Sequence, residues 1–480
     1  MSYRYGNRDQ ITLLPDSIEG YVGQEDPVRV YDAFIDALDL KELGIELNDR
    51  AVGNSAYDPV TMLKILVYGY SYGWRSSRKL ERALHHNMSF IWLSGGLKPD
   101  HKTISHFRKT HLDVLKKVLV QCARMCVKLK LIEGNTLFVD GSKIRANAAK
   151  SETRSIDVWK KYKRAVEHNI EALIKESQQL DEQETDSLVQ VDKELRSKEK
   201  LREKISELVK EVEDPDSAQH DQDKINGTDP DSRIMKGRQG SHSAYNAQIV
   251  TDDKNGLIIS GDVTAAHNDL NQLSKQIEQA DQTLQSPSQT VCADAGYSSL
   301  NDLIPLIDAG KTVVVPNNRQ VQKSVKNTSF GKETFTYNPV SDTYTCPAGK
   351  TTRPGRYQEK TNRLEYRMNQ ALTCTSCPHF GACTKSKSGR RLYRVAEDKT
   401  RKTLEAIYDS ESGQQIYGRR KSLVEHPFGH IKHNLGVNSF LIRGIEGVKA
   451  EFSLLSTAFN LTRMITLMGG VQPLIAKIKV

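Results

Sequence analysis

Three acidic residues have neighbours that suit chemistry at phosphorus. Val139-Asp140-Gly141 and Ala293-Asp294-Ala295-Gly296 each close an apolar run with a carboxylate and then with turn residues, the pattern of a buried strand that ends at an aspartate. In an α/β sheet such a carboxylate projects into the crevice where ligands bind. Two of them side by side would repel, and one pKa would rise. A divalent cation removes that penalty, and hard oxygen ligands suit Mg²⁺ or Mn²⁺. The third acid is Glu425, within Tyr417-Gly418-Arg419-Arg420-Lys421-Ser422-Leu423-Val424-Glu425-His426-Pro427-Phe428-Gly429-His430-Ile431-Lys432. On a continuous helix Lys421, Glu425 and Lys432 share one face. A third carboxylate there would complete a two-metal clamp, its ions about 3.5–4 Å apart, for in-line displacement at phosphorus. Taken singly, each aspartate is ordinary turn chemistry and Glu425 a solvated salt pair. Their combination, with the costly Pro427 inside the helical pattern, favours a site.

Four of the seven cysteines, Cys346, Cys374, Cys377 and Cys383, fall in one short region. Cys374-x₂-Cys377 has the close bite of a zinc pair, and Cys346 and Cys383 could complete a tetrahedral Zn²⁺ site. Free cysteines without metal are the alternative, and no thioredoxin-like pattern supports a redox pair. Cys122, Cys126 and Cys292 read as small buried residues. Basic residues run from Lys385 to Arg394 and recur at Arg75, Arg78 and Lys79 and at Arg419, Arg420 and Lys421. They read as DNA-backbone contacts or as solvated charge. The total, 69 Lys+Arg against 60 Asp+Glu for a net +9, fits a polyanion partner.

The elements that must hold these residues follow from periodicity. Residues 1–24 read as an arm. From 25 to 132 short amphipathic helices recur, one opened by Asp58 and Pro59 as cap and first turn, and this domain is a candidate for DNA binding. Residues 133–156, 241–340 and 400–480 alternate strand and helix, with Asn255-Gly256 marking a hairpin. A helix is expected from Asn268 to about Leu284. Residues 157–240 read as an antiparallel helical hairpin with a narrow apolar stripe, a scaffold or dimerisation arm, followed by a polar loop. Residues 341–399 read as a small zinc-ribbon-like β insert with a basic tail. No run is long and apolar enough to cross a membrane, and MSYRYGNRDQ lacks a secretory pattern, so the expected location is the cytoplasm.

Three segments, FVDGSKIRANAAK at 138–150, CADAGYSS at 292–299 and YGRRKSLVEHPFGHIKHNLG at 417–436, resemble the DDE transposases of bacterial insertion sequences. Similarity extends to YDPVTMLKILVYGYSYGWRSSRKLERALHHNMSFIWLSG, PDHKTISHFRK and LIRGIEGVKAEFSLLSTAFNLTRM, and so covers nearly the whole chain. The resemblance implies an α/β fold: an RNase H-like catalytic domain (a mixed sheet flanked by helices), with an all-helical N-terminal domain and the two inserts. It implies metal-dependent cleavage at mobile-element ends and transfer of the 3′-hydroxyl into target DNA by a homodimer, with Asp140, Asp294 and Glu425 as the metal-binding triad. Lys432 matches the family's basic residue seven positions after the glutamate. The family's arginine four before it is Lys421 here, its tyrosine seven before is Gly418, and Tyr417 and Arg420 stand one position off. The alternatives are an RNase H-like nuclease and a domesticated, non-transposing DNA-binding protein.

Overall fold

The computed structural model describes residues 17–45, 57–181, 188–214, 223–237, 240–321, 330–358, 363–368, 372–395 and 398–479. Most of the expected arm, and residues 215–222 and 238–239 of the polar loop, lie outside them. The chain divides into two units. The first comprises Met1–Asp269, Lys275–Gln289 and Arg420–Val480, and the second Leu270–Ser274 and Thr290–Arg419.

The first unit is built on three antiparallel strands, β1 (Thr136–Arg145), β2 (Gly240–Asp252) and β3 (Ile258–Thr264), with β2 in the middle. The turn from β2 to β3 is made by the expected Asn-Gly pair, Gly256 lying at φ +64°. The helix Ile445–Leu467 crosses this sheet, buried along most of its length. It passes β3 at Gly261, where a side chain would press on Phe452, Ser456 and Leu119 at 3.2–3.3 Å. Asn460 of this helix pairs both ways with Ile258, accepting from its N–H at 2.9 Å and donating to its carbonyl at 2.7 Å. The amide thus ties the helix to both backbone groups of Ile258 on β3.

The N-terminal helices pack into the same unit. Pro59–Ser71 starts as the sequence implies, with the Asp58 carboxylate accepting from the Val60 and Thr61 N–H groups. Asp100 caps His101–Thr110 likewise. The pair Ile156–Asp181 and Leu188–Glu213 forms the expected hairpin. Trp159, Val166 and Ile170 pack against Ile205, Leu208, Val209 and Val212, and Lys160 meets Glu213 across it at 2.6 Å.

In the second unit β4 (Thr290–Cys292) and β5 (Thr312–Val314) run parallel, with the helix Leu300–Asp308 between them in the chain. The helix expected from Asn268 begins at Leu273 instead. Asp302 sets that start by accepting from the Leu273 and Ser274 N–H groups. The cysteine region holds a two-stranded hairpin, Thr336–Asn338 with Thr343–Thr345, and a three-stranded sheet, Arg356–Gln358, Arg363–Arg367 and Arg391–Val395. Its core is small: Phe335, Tyr344, Tyr366 and Leu392. Among the described residues no helix is long and apolar enough to cross a membrane.

Candidate active site

Asp140 lies in mid-strand rather than at a strand end. β1 continues through Gly141 to Arg145, still paired with β2. Gly141 makes no turn. A Cβ there would come within 2.4 Å of the Asp269 Oδ1 and Gln248 Nε2 atoms. That oxygen accepts from Gln248 Nε2 at 2.7 Å and from Asn246 Nδ2 at 2.8 Å. A side chain here would have to push aside the ends of two polar side chains, so the glycine marks a close approach and not a bend. Nothing local in the sequence signals this, since Asp269 is far along the chain.

The Asp140 carboxylate, 17% exposed, takes an ion pair from Arg420 Nη1 at 3.3 Å, whose side chain is 14% exposed. Arg420 comes from the helix Glu411–Gly429, whose inward face carries Val424, Pro427 and Phe428. Phe428 stacks on Phe452 at 6.4 Å. Glu425, Lys421 and Arg419 are exposed on this helix. The expected continuous helix stops at Gly429, and His430–Asn434 is a π-helical turn. That change of winding resets the face on which Lys432 falls. Lys432 Nζ instead reaches β1, donating to Ser142 Oγ at 2.6 Å and to the Lys143 carbonyl at 3.1 Å. The segment around Glu425 therefore grips β1 from both sides of the glutamate, through Arg420 before it and Lys432 after it. Tyr417 is elsewhere, edge-on to Tyr408 with ring centres 5.1 Å apart.

His426 and His430 each set an edge against Phe459 at 5.5 Å. Burial pulls both imidazoles below their usual range, aided at His426 by Arg463 and at His430 by His426.

Asp294 belongs to the second unit and follows β4 as the sequence implies. Its Oδ1 accepts from the Gly296 N–H at 2.8 Å, capping the turn Ala295–Tyr297. Among the described residues no three His, Cys, Asp or Glu side chains form a group that could hold a metal ion. As a donor set the carboxylates suit one. They are hard oxygen ligands, and Asp140 already faces a cation, the Arg420 guanidinium.

Of the N-terminal basic residues, Arg78 and Lys79 are exposed on the helix Ser77–His86. Arg75 is not available to DNA. Its Nη1 donates to Glu451 Oε1 at 2.6 Å and to the Ser439 carbonyl at 2.8 Å, and Glu451 is fully buried. Its charge neutralises an internal carboxylate.

In the second unit Cys346, Cys374, Cys377 and Cys383 line one cavity of about 30 Å³, and none is in a disulfide. Burial pushes the Cys383 thiol up, Arg390 opposes this, and the other three cysteines add to it. Much of the basic tail is spent within the unit. Arg391 pairs with Glu365 at 3.5 Å, and Arg394 lies 4.2 Å over the Tyr337 ring. Cys122, Cys126 and Cys292 are buried, as expected.

Two family models match parts of the chain. A family model described as "Transposase DDE domain" matches residues 345–465, which include the cysteines, Glu425 and Lys432. A second, "Transposase domain (DUF772)", matches residues 16–110. No curated protein matches. Among solved structures, a cryo-EM piggyBac transposase synaptic complex with hairpin DNA is similar over 95% of this chain and 79% of that one, at 10% identity and a TM-score of 0.30. That likeness is too slight to carry weight. Three strands run antiparallel in one unit, and in the other a pair runs parallel. A transposase-domain model thus matches toward each end of the chain, and over those residues the chain is similar to DDE-type transposases.

Proposed function

We propose that this transposase cuts DNA strands at the ends of a mobile element and joins the freed 3′-hydroxyls to target DNA, using Asp140, Asp294 and Glu425 as metal-binding carboxylates. The observation that carries the reading is the grip on β1 around Glu425, through Arg420 on Asp140 and Lys432 on Ser142 and Lys143. The chemistry a bound Mg²⁺ or Mn²⁺ supplies is a lowered water pKa and relief of charge at phosphorus. The protein's own part is to hold the carboxylates and to bind the phosphates on either side of the scissile bond. Arg419, Arg420, Lys421 and Lys432 bring positive charge to that stretch, and Arg78 and Lys79 extend it onto the N-terminal helices. No serine or tyrosine nucleophile is needed, since water and then a DNA hydroxyl attack directly. Two subunits act together, because two element ends must reach one target.

The test is an incubation of purified protein and Mg²⁺ with duplexes carrying the element ends and a supercoiled target. Joined products are expected. Cleavage without joining would make the chain an RNase H-like nuclease. Specific binding with neither would make it a domesticated, non-transposing DNA-binding protein.

A further inference from the structure

The helix His101–Thr110 has two opposite faces. Ile104, Phe107 and Arg108 are buried, while Lys102, Ser105, His106 and Lys109 are exposed. Steps of three and four place those four residues in one stripe down the helix. The helix contains no acidic residue.

Its mounting is firm. The Asp100 Oδ1 atom accepts from the Thr103 N–H at 2.7 Å, fixing the first turn. Arg108 Nη1 donates to the Arg75 carbonyl at 2.6 Å, and Phe107 stacks on His111 with ring centres 4.2 Å apart. His101 Nδ1 lies 2.9 Å from Glu81 Oε2 on the helix Ser77–His86. Glu81 is the one acidic residue of that helix, so its carboxylate already has a partner. Arg78, Lys79 and Arg82 are exposed on the same helix. Among the described residues, the exposed side chains named on these two helices take no ion pair or hydrogen bond.

We propose that the helix His101–Thr110 lies in the major groove of duplex DNA and reads base edges through Ser105 and His106, while Arg78, Lys79 and Arg82 grip flanking phosphates. The assignment rests on the proposed DNA cleavage and adds to it what selects an element end. The outward faces of both helices carry positive charge, which complements a phosphate backbone. Their chemistry differs, however. Arginine and lysine only donate hydrogen bonds, which suits phosphate oxygens, whereas a hydroxyl and a neutral imidazole both donate and accept. Base edges in the major groove present both donors and acceptors. Size agrees as well, since the groove is about 12 Å wide and admits a helix. Lys102 and Lys109 stand roughly 10 Å apart at 1.5 Å per residue, a reach of about three base pairs. The anchoring through Asp100 and Arg108 matters because base contacts need side chains held in one register.

The experiment measures binding alone, without divalent metal, so that no cutting intervenes. The full chain selects from a randomised duplex pool, and the wild type should enrich one sequence. Ser105→Ala and His106→Ala should each lose about 5- to 150-fold in affinity for the selected duplex and relax the preference at adjacent pairs. Their binding to unselected duplex should change little. Arg82→Ala should weaken both duplexes alike and lower the salt slope by about one. The selected sequence made as duplex RNA should not compete, because side chains cannot read the narrow A-form major groove. Each variant is first shown to keep the wild-type urea midpoint. Retained selection and affinity in both Ser105→Ala and His106→Ala would overturn the assignment, as would an equal loss on every duplex or full competition by the RNA. Any of these would leave the proposed cleavage standing, whereas a wild type that binds no duplex would overturn both.

Discussion

Arg75 and Arg78 lie one helical turn apart in chain and face different surroundings. Arg75 serves Glu451, which is fully buried and 376 positions away, while Arg78 is exposed. Arg75→Ala should therefore cost about 3–5 kcal/mol in chemical denaturation, because it strands a buried carboxylate. Arg78→Ala should leave stability unchanged, weaken DNA binding, and reduce the salt dependence of binding by roughly one ion. The sequence places both in a single basic cluster, since nothing local separates them. The same blindness applies at Gly141, whose partners Gln248 and Asp269 are far off in the chain. A glycine after an aspartate reads as a turn, and only the filled space beside it shows that the strand runs on. The turn at Asp294, whose cause is local, follows its strand as the sequence implies.

Elements whose cause is local appear where the sequence puts them. Asp58 caps its helix, Gly256 turns its hairpin, and the apolar stripe of Ile156–Asp181 finds its partner in Leu188–Glu213. Elements whose limits are set by distant side chains do not. The helix at Leu273 waits for Asp302, and the π-helical turn after Pro427 carries no signal beyond the proline itself. Elements are also joined by charge. On β3, Asp262 meets Lys275 at 3.1 Å and Lys449, from the helix Ile445–Leu467, at 3.5 Å. Burial pushes the Asp262 carboxyl up, but Lys449 and Lys275 outweigh it and hold the pKa below the ordinary 3.8. A depressed carboxyl contributes stability that is present above 3.8 and lost as pH falls through the folded value. Urea melts on the acid side of pH 3.8 should therefore show a loss of stability that Asp262→Asn, already lacking the charge, does not share.

For the molecule as a whole, the order of strands and helices around the carboxylates was readable because hydrophobic periodicity is a local property. The division into two units was not. The helix Glu411–Gly429 spans the boundary at Arg419, and Arg420, which pairs with Asp140, is the first residue past it. That pairing also shifts attention within the basic run, since Arg420, one position off the family's place for arginine, is the residue on the carboxylate. The central proposal is that Asp140, Asp294 and Glu425 act together as metal-binding carboxylates. The most direct measurement is strand cleavage at an element end, in Mg²⁺ and in Mn²⁺, by Asp140→Asn, Asp294→Asn and Glu425→Gln, each shown to be folded and to bind the DNA. Residues that act together fail together, so each variant should fall by at least about a thousandfold. An Asp294→Asn protein that still cut at near the wild-type rate would contradict the account.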